Sequence, residues 1–146
     1  MIFNYTGKTL KPEEAKRINA LSLAFIGDAV FEVMVREYLI LNNLDFSAHK
    51  LHLKAVSYVK ANSQRAFIRQ LEKHLTEDEL YIYKKGRNTK SATIPKNATV
   101  SDYRAATGFE SLIGYLYITG QSQRIQLIMD IIFDENKPSE EWLYEK

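Results

Sequence analysis

The chain contains no cysteine, so neither a disulfide framework nor a thiolate metal site is open to it. Three prolines and six glycines punctuate 146 residues, and sustained period-two alternation is absent. An all-helical fold is the reading that remains. No apolar run reaches the roughly 20 residues of a membrane span; the best candidate is interrupted by Asp28, Glu32 and Arg36. The opening stretch MIFNYTGKTLKPEEAKR lacks the apolar core of a signal peptide. There is no internal repeat and no low-complexity segment. These absences point to a cytoplasmic protein with no membrane partner. The length fits one domain spanning 1–146, with a core over about 15–133 and an acidic tail over 134–146.

Charge is unevenly placed. Residues 48–104 hold 12 of the 20 Lys and Arg but 5 of the 18 Asp and Glu, a net +7 that leaves −5 elsewhere. A positive face for a polyanionic partner is one reading, and solvated helix faces are the other.

Helix signals divide the chain. Pro12 suits a first turn. An apolar helix covers about 18–41 and stops at Asn42-Asn43. Ser47 caps a segment running to about 75, with a break expected near Asn62-Ser63. Thr76 and Glu79 form a capping box for a helix expected to end at Lys85, with Gly86 as its C-cap. A long loop follows over 87–100. Thr99 or Ser101 caps a helix through Thr119, which Gly120 stops. Ser122 opens a last helix with Ile125, Ile128, Met129 and Ile132 on one stripe.

Two carboxylates stand inside the apolar helices. Asp28 follows Gly27 in ALSLAFIGDAVFEVMVREYLI, where glycine costs about 1 kcal/mol relative to alanine and an unpaired buried carboxylate costs several more. Glu110 lies in ATGFESLIGYLYITG, on one helix face with Thr107 and Gly114. Glycines beside both acids would let the helices cross and bring Asp28 to Glu110. Such a pair suits a hard cation such as Mg²⁺; either acid alone is better explained by a buried Arg or Lys partner or an N-cap contact. Glu32 is most simply an i, i+4 partner of Arg36, with a water-mediated metal contact as the sharper alternative.

The stretch YKKGRNTKSATIPKN sets Lys84, Lys85, Arg87, Asn88, Lys90 and Lys96 around a glycine and a Ser/Thr-rich loop, uninterrupted by acid. Lys and Arg neutralise phosphates, and Asn, Ser and Thr hydrogen-bond phosphate and sugar oxygens. Without interleaved aromatics for stacking bases, recognition of a duplex by shape is the better match, and a solvated flexible loop is the plain alternative.

LAFIGDAVFE, residues 23–32, resembles the ribonuclease III signature, commonly written LEFLGDA. FESLIGYLY, residues 109–117, resembles that family's second acidic helix, typified by VEALIGALY. KKGRNTKS and TIPKN, with no double-stranded-RNA-binding domain, are similar to the Mini-ribonuclease III branch. The resemblance runs from about residue 15 to 133. It implies a ribonuclease III-type helical endonuclease domain in which Asp28 and Glu110 are catalytic and hold Mg²⁺. It places Phe25 at a dimer interface. Ala24 and Thr107 stand where larger members carry acids, so a four-acid cluster is reduced to two. The implied reaction is hydrolysis of double-stranded RNA by a homodimer, leaving 5′-phosphate and 3′-hydroxyl ends. The implied substrate is a precursor of large-subunit (23S) ribosomal RNA, and a ribosomal protein is admitted as helper. Two rivals remain: a non-catalytic duplex-RNA or ribosome-binding protein of the same fold, and a helical interaction module with structural acids.

Overall fold

The computed structural model describes residues 4–90 and 99–134, and among them every regular element is helical. In chain order these are α1 (Pro12–Ala15), α2 (Ala20–Asn42), α3 (Ala48–Val59), α4 (Ala61–Leu71), α5 (Glu77–Arg87), α6 (Val100–Ile118) and α7 (Ser122–Phe133). A 3-10 turn over Glu72–His74 joins α4 to α5. The acidic tail beyond Asp134 lies outside the described residues.

Local chemistry accounts for the ends. Ser47, Thr76 and Thr99 each accept from the backbone N–H three residues on, leaving fewer first-turn donors unpaired. Glu79 returns the Thr76 contact by accepting from its N–H at 3.0 Å, the capping box expected. Gly120 takes φ +71° and stops α6, a left-handed conformation that suits glycine. The segment after Ser47 breaks at Lys60, whose extended backbone both ends α3 and starts α4. That is two residues before the expected break.

α6 is the central helix, buried from Ala105 to Phe109 and again from Ser111 to Leu116. Helices α2, α4 and α5 pack round it. Phe31 of α2 meets Phe109 edge-to-face, ring centroids 5.0 Å apart. The predicted stripe of α7, Ile125, Ile128, Met129 and Ile132, is buried in the same core.

The expectation for Gly86 is corrected. α5 continues to Arg87, and Gly86 is a buried interior residue without positive φ. A Cβ at Gly86 would stand 2.8 Å from the Gly108 Cα and 2.6 Å from the Ser111 Oγ. The glycine is required by a close crossing of α5 and α6, not by a helix end.

Candidate active site

The site forms where α2 crosses α6. A Cβ on Gly27 would lie 1.8 Å from the Glu110 carbonyl oxygen, and one on Gly114 1.9 Å from that of Leu23. Each glycine thus seats a backbone of the opposing helix. One residue beyond Gly27, the Asp28 carboxyl hydrogen-bonds with that of Glu110. The two acids are brought together, but their burial differs from the expectation. Asp28 is exposed and Glu110 is half-buried. One residue of helix is a rotation of about 100°, so Gly27 faces α6 while Asp28 turns to the rim. The desolvation cost assigned to Asp28 therefore falls on Glu110. Burial first, and then the Asp28 charge, push the Glu110 carboxyl up to about 8, partly offset by a hydrogen bond from Gln64.

Gln64 went unnoticed in the sequence. It is 1% exposed on α4. Its Nε2 donates to Val59 O at 2.9 Å and to Glu110 Oε2 at 3.2 Å. The two acceptors fix which way the amide faces, and its Oε1 is left buried without a partner. The available signal was position: Gln64 shares the buried stripe of α4 with Ile68 and Leu71. A polar side chain on an apolar stripe needs a polar reason.

The surroundings bear on a cation. Glu32 is 3.6 Å from Arg36 in the expected i, i+4 pair, yet its charge also reaches Glu110. Ala24 is buried, and Thr107 donates to Tyr103 O at 3.0 Å within its own helix. No cluster of three or more Asp, Glu, His or Cys forms among the described residues. What remains is a pair of carboxylates in contact, one disfavoured as an anion by burial, beside a buried amide oxygen lacking a donor. An oxygen-only set with a repelling pair fits a hard divalent ion with hydrating waters.

A ribonuclease III domain profile matches residues 21–121. The chain is 45% identical over 130 residues to the Mini-ribonuclease 3 of Clostridium tetani, covering 89% of this chain and 86% of that protein. It is 43% identical to that of Enterococcus faecalis, covering 79% and 88%. The chain belongs to the ribonuclease III family, in its Mini-ribonuclease III branch. It is an endoribonuclease. A crystal structure of a Fusobacterium nucleatum protein is similar in fold, with TM-score 0.77 and 27% identity, covering 86% of this chain and 99% of that one.

In this Mini-ribonuclease III chain the basic stretch is divided by the fold. Lys84 and Lys90 are exposed. Lys85 departs from the expectation of a phosphate contact: its Nζ donates to Lys16 O at 2.7 Å and Ile18 O at 3.1 Å, tying α5 to the turn before α2. Arg87 stacks over the Tyr83 ring at 5.6 Å, and with Asn88 it lines a cavity together with α4 residues. Lys96 lies outside the described residues. Phe25, 83% exposed, stands on the solvent side of α2 with Leu21 and Val33, and Leu53 and Val56 of α3 are exposed too. No described helix is long and apolar enough to cross a membrane.

Proposed function

We propose that the chain is one catalytic domain, 1–146, that hydrolyses double-stranded RNA with Mg²⁺ and leaves 5′-phosphate and 3′-hydroxyl ends. The observation that carries this reading is the meeting of Asp28 with Glu110 at the glycine-lined crossing. Asp28 and Glu110 would hold the ion, and the Gln64 Oε1 would accept from a hydrating water. When bound, the ion neutralises charge on the phosphoryl group and acidifies the attacking water. The protein's own part is placement. α6 sets Glu110 at a fixed depth, α2 presents Asp28 to solvent where a strand can reach it, and Gln64 holds the Glu110 carboxyl in one orientation.

A duplex has two strands and this domain one acid pair, which supports a symmetric homodimer through Phe25. Exposed Lys84 and Lys90, with Arg87 and Asn88, support phosphate contacts along the backbone. Maturation of a 23S ribosomal RNA precursor in the cytoplasm, with a ribosomal protein as helper, is the process that the branch supports. The test is incubation with duplex and single-stranded RNA, with and without Mg²⁺, followed by mapping of the ends. Cleavage confined to duplex RNA with Mg²⁺ is expected. Duplex binding without any cut would favour the non-catalytic alternative.

A further inference from the structure

A second polar feature lies apart from the acid pair. Between α4, the end of α5 and the start of α6 is an open cavity of about 330 Å³. Four arginines line it, Arg65 and Arg69 from α4, Arg87 from α5 and Arg104 from α6, with Asn88, Ser101 and Tyr83. Glu72 is the one acid among the lining residues. Arg65 also bonds Asp102 at 3.0 Å, whereas Arg69 and Arg104 make no ion pair among the described residues.

Like charges converging on one cavity repel, and the repulsion is relieved by an anion. Guanidinium is the cation whose planar fork matches phosphate oxygens two at a time. Asn88 and Ser101 add uncharged hydrogen-bonding groups of the kind used on phosphate and sugar. Burial pushes the Tyr83 phenol up, so it stays a neutral donor at pH 7. The cavity also has a fixed relation to the acids. Gln64 and Arg65 are neighbours on α4; the first reaches Glu110 and the second Asp102 on α6. Eight residues of helix is about 12 Å of axis, the extent of several consecutive phosphates on a nucleic-acid strand.

We propose that Arg65, Arg69, Arg87 and Arg104 form a phosphate seat that grips a backbone phosphate of the RNA several nucleotides from the bond cut at Asp28 and Glu110. The RNA source of that phosphate rests on the duplex-RNA reading above; the phosphate chemistry of the cavity does not. A free phosphate compound such as a nucleotide or pyrophosphate is the other source of the same group.

The test replaces Arg69 and Arg104 together by Ala, leaving the Arg65–Asp102 and Arg87–Tyr83 contacts in place. Both side chains are exposed, so the melting temperature should hold, and it serves as the fold control. Binding of a labelled RNA duplex in EDTA is measured across salt concentrations, and inorganic pyrophosphate is titrated separately by calorimetry. If the seat holds RNA, the log–log salt slope becomes shallower by about 0.9 per lost contact, a B-DNA coefficient, so by about 1.8 per bound cavity. An Arg69→Lys, Arg104→Lys protein should recover the slope but only part of the affinity. An unchanged slope with loss of pyrophosphate binding assigns the seat to a free phosphate compound. An unchanged slope with no pyrophosphate binding in the parent overturns the proposal. If the parent holds no duplex RNA at all, the duplex reading fails, and the pyrophosphate arm still decides the cavity.

Discussion

The backbone of Glu110 occupies the space that a side chain at Gly27 would need: a Cβ there would sit 1.8 Å from the Glu110 carbonyl oxygen. Neither partner is a flexible side chain, so only a shift of whole helices could make room. Gly27→Ala should cost about 3 kcal/mol, the upper end for overpacking. A shift near 1 Å can also cost about 100-fold in rate when it misplaces reacting groups. Urea unfolding and a cleavage assay at a permissive temperature check both. Parent-like stability would mean that the two helices do not cross this closely in solution.

Asp28 is exposed, which makes its substitution a clean test of chemistry. Asp28→Asn should hold or raise stability near neutral pH, because it removes a charge that opposes ionisation of Glu110. Cleavage should fall by more than about 100-fold, beyond the loss typical of residues that only support a metal ligand. Near-parent turnover of duplex RNA would remove Asp28 from the site.

Glu110 gives the stability a pH dependence of unusual sign. Its carboxyl is raised from 4.5 to about 8 in the folded protein, so the folded state binds the proton more tightly than the unfolded state. Without divalent cation, stability should therefore fall as pH rises from about 4.5 to 8, by up to a few kcal/mol. Glu110→Gln should flatten that fall, matching the parent near pH 5 and exceeding it near pH 8.5. Added Mg²⁺ should restore the parent at high pH, since metal and proton compete for one carboxylate. Parallel denaturation midpoints for parent and variant across this range would contradict the assignment.

Gln64→Leu keeps most of the buried volume but removes the donor to Glu110 and the unpartnered oxygen. The Mg²⁺ concentration for half-maximal cleavage should rise about 10- to 100-fold, the usual effect of losing a group that orients a metal ligand. Gln64→Met serves as a second volume control. A Mg²⁺ requirement equal to the parent's in both variants would reduce Gln64 to a packing residue.

Phe25, at 83% exposure on a helix that also exposes Leu21 and Val33, is the apolar residue most in need of cover. Phe25→Ala should shift sedimentation at low micromolar concentration from dimer towards monomer. It should leave the melting of the isolated chain little changed, because no core contact is lost. A variant that stays dimeric throughout would move the interface elsewhere.

Much of this architecture was legible because it is local. The caps at Ser47, Thr76 and Thr99 depend on bonds three residues long. The acid pair was legible for a different reason. Gly27 beside Asp28 and Gly114 four residues after Glu110 are costly in helices unless another backbone comes close, and both costs point to one crossing. What escaped depends on facing. Gly86 reads as a helix end locally, and only its contact with Gly108 shows why α5 continues. Lys85 reads as one more loop cation until Lys16 O and Ile18 O are placed beside it. Asp28 and Gly27 are neighbours in sequence yet differ by about 100° around the axis, which decides which of them is buried. Gln64 carries no motif; its role exists only once α4 lies against Glu110.

The ammonium of Lys85 and the Arg65–Asp102 bridge stand at the two ends of the segment joining α5 to α6. One fastens its departure to the turn before the Asp28 helix, and the other fastens its return to α4. Both posts are tied to the elements that carry the cutting centre, so the last turn of α5 and the first turn of α6 hold their register against the Asp28 helix and the Gln64 helix however a ligand loads them.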